Sequence, residues 1–291
     1  MTENRAVFKR KIQKTQIFLQ VGMFRYEAAH TFSHRTKEKR RIGLFSIVTD
    51  TGANLTEEKI ERWDVSVLPM DTDGETTAQV NPFVCENILR ELAQKGDVLC
   101  VCLSGALSGT VRSVQMAASV IASAHTVHVL DSKCAADGEG MLVHLAVQAR
   151  QNGRSFEETV KLAEKAAMRV CHLFVAGNAQ ATARSGRFGE TVDEATVLTL
   201  DRAGKVVPYR RAANRKAALQ TIAQTVHRTA LQTGNGVLIA HADNAEDAAY
   251  LAGQIGERAE IHALNRLFTA HTGDGTVAVF YPGTLRTNLR I

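Results

Sequence analysis

The chain has 291 residues, 45% hydrophobic and 22% charged, apolar enough for two ordinary cores in a globular protein. It contains no run of about 18 apolar residues and no basic stretch leading into an apolar segment with a small-residue cleavage site, so a cytoplasmic chain without a membrane span or secretory leader is expected. The formal charge of +5 is uneven: residues 1–41 carry eleven Lys/Arg against three Asp/Glu, which leaves 24 basic and 27 acidic residues in the body and excludes nucleic-acid binding by that body on charge.

Residues 1–41, ending in "HRTKEKRR", read as a basic, flexible extension without helical period. From Leu44 onward short β-branched runs alternate with helical stretches, the pattern of an α/β fold with a largely parallel sheet. Strands are expected at "LFSIVTD", "VSVLP", "DVLCVCL" and "TVHVLD", with helices at "TEEKIERW", "PFVCENILRELAQK" and "TVRSVQMAASVIAS" between them. Two helices follow, "GEGMLVHLAVQARQN" and "SFEETVKLAEKAAMRV", the second opened by Ser155 and Glu158 at capping-box spacing. Beyond them the expectation is a strand "CHLFVAG", a basic glycine loop "TARSGRFGE", and a strand pair "ATVLTLD" and "KVVPYRR" around the turn "RAGK". A helix from about Arg215 to Leu231, a strand "GVLIAH", a helix from Asn244 to Arg258, and strands "EIHAL" and "VAVFYP" complete the chain. The predicted architecture is therefore a two-domain α/β protein: a doubly wound, mostly parallel N-terminal domain over 42–168 and a smaller C-terminal α/β domain over 169–291, with a ligand cleft between them.

Common chemical signatures fail. Cys85, Cys100, Cys102, Cys134 and Cys171 have no C-x-x-C spacing and read as reduced, small hydrophobes. The ten histidines show no metal-ligand spacing, "GALSG" places its serine one position late for a hydrolase elbow, and no nucleotide-binding glycine fingerprint is complete. No metal or cofactor is expected. What remains are three strand-to-helix junctions rich in hydroxyls: "VTDTGANL" with Asp50 and Thr51, "LSGALSGT" with Ser104, Ser108 and Thr110, and "LDSKCAADGEG" with Asp131 and Ser132. Each residue alone is explained as a helix cap or turn former. Three such junctions at the carboxyl ends of strands suit a small anionic head group bound by neutral donors.

The ordered motifs resemble the DegV family of bacterial fatty-acid-binding proteins. "IVTDTGANL" is similar to its opening I-V-T-D-S-T-A-D-L, "TTAQVNP" to T-T-S-Q-P-S-P, "LSGALSGTVRSVQMAA" to S-S-x-L-S-G-T-x-x-S-A-x-x-A-A, "RSGRFG" to its basic loop and "AHTGDGTVAVFY" to its terminal H-x-G-P-G. The resemblance covers about Ile42 to Tyr281. It implies a long-chain fatty acid held in a tunnel between the domains, a non-catalytic carrier role, and presentation of the carboxylate to a separate fatty acid kinase subunit that forms an acyl phosphate. By position it implies carboxylate ligands Thr77, Ser104 and His271, with Arg187 and Asp274 near the tunnel mouth. The sequence departs from the family pattern at Ala78, Val80, Gly105 and Asp274. The alternatives are a diverged binder or processor of a small polar anion without an acyl tunnel, with Asp274 as general base, and an interaction protein on the same scaffold.

Overall fold

Four short apolar runs form one parallel sheet. They are β1 (Ser46–Asp50), β2 (Val65–Leu68), β3 (Val98–Cys102) and β4 (Val127–Asp131), in the order β2-β1-β3-β4. Every residue of β3 is buried, as a central strand covered by helices on both faces requires. The computed structural model describes residues 45–70, 77–188, 192–193, 195–231, 236–256 and 259–288, so the expectation for the basic arm of residues 1–41 lies outside the described residues.

The helices between these strands start where local chemistry directs. Thr56 accepts from the Lys59 N–H ahead of α1 (Glu57–Trp63), and Asn81 with Pro82 opens α2 (Pro82–Ala93). A third helix, α3 (Thr110–Ser119), follows β3. After β4 come α4 (Asp137–Gln151) and α5 (Phe156–Ala167), the latter held by the complete Ser155/Glu158 capping box. All five cysteines are free and buried among apolar neighbours.

The second sheet is mixed and has six strands. It comprises β5 (Val170–Val175), β6 (Thr196–Leu200), β7 (Val206–Arg211), β8 (Val237–His241), β9 (Ala259–Ala263) and β10 (Val277–Pro282), ordered β7-β6-β5-β10-β8-β9. Only β8 and β9 pair in parallel; the other neighbours are antiparallel. One face packs on α7 (Arg215–Thr229) and α8 (Ala245–Ile255) through Leu173, Val175, Ile222 and Leu251. The opposite face carries Phe174, Leu238, Ala240, Ala278 and Phe280 and turns toward the parallel sheet. Period-two alternation along β5 and β10 thus supplies one core and one interdomain wall.

Three short helices depart from the sequence reading. The basic loop "TARSGRFGE" is in its first half a helix, α6 (Ala179–Ser185), which Asn178 caps by accepting from the Gln180 and Ala181 N–H groups. Similarly, α9 (Arg266–Thr272) occupies a stretch to which the sequence reading assigns no element, with Asn265 accepting from the Phe268 N–H. The last is α10 (Leu285–Asn288). Helices of about two turns or fewer carry too little apolar periodicity to be seen against loops.

Two elements join the halves. Helix α4 packs against β1 and β3 on one side and against β5 and β10 on the other. Arg286, wholly buried, donates through Nη1 to the Ala167 carbonyl at 2.9 Å and through Nη2 to the Asp201 carbonyl at 2.8 Å.

Candidate functional site

In an open parallel sheet the crevice lies beyond the carboxyl ends of strands, where the order reverses; here that is between β1 and β3. The residues just past those ends face the apolar side of the mixed sheet. Between them is a cavity with about 790 Å³ of non-atom space, counting its open mouth. Its walls are mostly apolar: Leu103 and Leu107 from the β3–α3 junction, Phe174 and Phe280 from the mixed sheet, Phe188 beyond α6, and Leu267 and Phe268 from α9.

Its mouth is polar. Thr77 Oγ1 lies 2.8 Å from His271 Nε2, and Arg187 Nη1 lies 2.8 Å from His271 Nδ1 and 3.0 Å from Nε2. Arg187 Nε also donates to the Leu107 carbonyl at 2.8 Å, which fixes the guanidinium plane. Burial first, and the Arg187 charge second, hold the His271 imidazole down at about 4, so at neutral pH it is uncharged. A neutral ring has one donor and one acceptor nitrogen, and because Arg187 only donates, the ring nitrogen it bonds is the acceptor. Ser108 also lines the mouth, its hydroxyl 2.9 Å from that of Thr110.

The structure therefore brings together Thr77, His271, Arg187 and Ser108, residues from four separate segments. It does not bring Ser104 to them. The Ser104 hydroxyl is fully buried and donates to the Gly204 carbonyl at 2.9 Å, outside the cavity wall. The remaining polar residues are spent on the scaffold. Thr110 is buried at the start of α3 and accepts from the Val80 N–H at 3.4 Å. Asp50 accepts from the Gly52 and Leu103 N–H groups at 2.8 and 2.9 Å, tying the ends of β1 and β3 together. Burial pushes its carboxyl up to about 6. Thr51 accepts from the Met70 N–H at 3.0 Å, and Ser132 from the Cys134 N–H at 3.0 Å. Asp131 accepts from the Gly105 and Lys133 N–H groups at 3.1 and 2.9 Å. Asp274 is exposed in the turn before β10 and does not line the cavity, so it stands neither against a bound anion nor where a general base for one is needed.

What sequence reasoning missed is the apolar wall. Phe174 and Phe280 read as strand residues like any other, and only their shared alternation with His172 and Ala278 marks one common face.

Comparison with known proteins follows the same outline. The family model described as "Uncharacterised protein, DegV family" matches residues 70–283. The chain belongs to the DegV family. A curated DegV domain-containing protein of Clostridium perfringens is 26% identical over 283 residues, spanning 82% of this chain and 97% of that one. Among solved structures, a fatty acid binding DegV family protein of Streptococcus agalactiae superposes with a TM-score of 0.74 at 22% identity, covering 82% of this chain and 99% of the other. DegV of Bacillus subtilis, a fatty acid binding protein, gives 0.74 at 20% identity over 83% and 99%. A DegV family protein of Eubacterium eligens loaded with heptadecanoic acid gives 0.71 at 16% identity over 82% and 99%. At these identities the structural matches establish the DegV fold: a parallel α/β sheet joined to a second sheet. Among the described residues, no helix is long and apolar enough to cross a membrane.

Proposed function

We propose that this DegV chain binds one long-chain fatty acid in the cavity between its sheets, with the carboxylate at the Thr77–His271–Arg187 mouth, and presents it to a separate kinase subunit. The observation that carries this reading is the distribution of polarity: a mostly apolar interior whose mouth holds a neutral imidazole, a hydroxyl and a guanidinium. Burying roughly fourteen methylenes at ~0.8 kcal/mol each supplies on the order of ten kcal/mol before ordering costs, so the head group needs placement more than strength. The Streptococcus and Bacillus proteins, described as fatty acid binding, and the Eubacterium protein, loaded with heptadecanoic acid, support the same ligand class. In this arrangement the chain itself is a carrier, and Ser104 sets the position of the β3–α3 junction without touching the ligand.

The test is extraction of the purified protein followed by mass spectrometry, with titration of the delipidated protein by a fluorescent fatty acid. Co-purified acyl chains and one saturable site are expected. A lipid-free protein that also fails to bind the probe overturns the proposal.

A further inference from the structure

Beyond the residues of its mouth, three polar side chains line the cavity: Thr272, Thr276 and His172. The two threonines are spent on the fold. Thr272 donates to the Phe268 carbonyl at 2.9 Å and Thr276 to the Gly273 carbonyl at 2.7 Å. His172 is different. It is a buried residue of β5, opposite Phe280 of β10, and the two rings meet edge to face with centroids 5.4 Å apart. Its Nε2 accepts from the Ala135 N–H at 3.3 Å, just ahead of α4. Gly138 lets that helix come so close, since a Cβ there would lie 2.2 Å from Nε2.

Burial first, and the Arg286 charge second, keep this imidazole neutral. A neutral ring that accepts at Nε2 carries its proton on Nδ1. That nitrogen is buried and meets no acceptor in hydrogen-bond geometry among the described residues. The Val170 carbonyl, which favours a proton on the ring, already accepts from Arg286 Nη1 at 3.3 Å. A buried N–H left without an acceptor is destabilising, and the wall around it is otherwise apolar. The acceptor then has to come from what fills the cavity. A second carboxylate is unsuitable there, because one neutral donor does not offset the burial of a charge. We infer that His172 donates from Nδ1 to a neutral oxygen carried on the acyl chain itself, so that the cavity takes a hydroxy or oxo fatty acid in preference to the plain acid. This deepens the acyl reading of the cavity and rests on it.

Displacement of a fluorescent fatty acid from the delipidated full chain, by stearate and by hydroxystearates and oxostearates with the oxygen moved along the chain, tests the assignment. One oxygen position is expected to bind about tenfold more tightly than stearate in both series, the size of effect that one hydrogen bond to a buried donor supplies. In His172→Phe that preference should shrink to within about twofold while stearate binds no more weakly. Stearate binding to wild type with no oxygen position preferred overturns the assignment and leaves the acyl reading intact, and this outcome needs no variant to fold. A preference for a hydroxystearate without the matching oxostearate also overturns it, since the ring would then be accepting, as does a preference that survives in His172→Phe. Failure of wild type to bind any of these acids removes the acyl reading and this inference with it.

Discussion

His271 shows how one residue's chemistry depends on its surroundings. Its imidazole is held near 4 by burial and by Arg187, below the ordinary value of 6.5, so the unfolded chain takes up a proton that the folded one refuses. Between about pH 6.5 and pH 4 the unfolded state binds more protons, and the stability associated with this group is present above 6.5 and lost as the pH falls through that window. His144, held near 4 chiefly by burial, acts in the same direction, while Asp50, raised to about 6, gains stability on acidification. Replacing one residue isolates its share. His271→Gln should therefore lose less stability than wild type between pH 6.5 and 4, by about 1–2 kcal/mol, in urea unfolding at a series of pH values. Parallel pH profiles for the two proteins would mean that His271 is not neutral in the fold.

At the scale of elements, the β6–β7 hairpin meets the β3–α3 junction at one point. Gly204, in the hairpin turn, has φ +82°, and a Cβ there would lie 2.2 Å from the Ser104 hydroxyl and 2.9 Å from Lys133 Cα. Gly186, which ends α6, has φ +61° with open space around it. Both positions favour glycine through the backbone, but only one also has no room. Gly186→Ala should cost about 1 kcal/mol from conformation alone. Gly204→Ala should cost clearly more, about 2–4 kcal/mol, since backbone must move and Ser104 must give up its acceptor. Thermal unfolding of the two variants side by side checks this; equal losses would show that the hairpin and junction are not tightly coupled.

Across the whole molecule, Asn54 fastens one sheet to the other. Its amide donates to Asp137 Oδ2 at 2.8 Å and to the Ala263 carbonyl at 3.0 Å, and its oxygen accepts from the Asn265 N–H at 2.9 Å. His262 Nδ1 lies 2.7 Å from the other Asp137 oxygen, so the latch runs from the 3-10 turn after β1 to β9 and α9, the helix that carries His271. Asn54 has φ 52°, a conformation glycine adopts freely, so Asn54→Gly removes the side chain without adding backbone strain. That variant should lose about 2–3 kcal/mol and broaden or split the calorimetric transition as the halves uncouple. A single transition at the wild-type temperature would show that α4 and Arg286 suffice to join them.

The sequence by itself determined the order of the strands and of the longer helices and the parallel character of the first sheet, because strand alternation, capping pairs and glycine turns are local; Thr77, Arg187 and His271 were indicated through the resemblance of its ordered motifs to the DegV family. It also indicated Ser104, Asp50, Asp131 and Ser132, since a hydroxyl or carboxylate at a strand end looks alike whether it meets a ligand or a backbone N–H. Only the tertiary structure separated their positions, giving Ser104 to Gly204 and Asp50 to Leu103 and setting Thr77 and His271 beside the cavity. The cavity was likewise decided there. Its walls come from strand and helix residues far apart in the chain, and an apolar side chain carries no local mark of whether it faces a core or a space that a ligand fills.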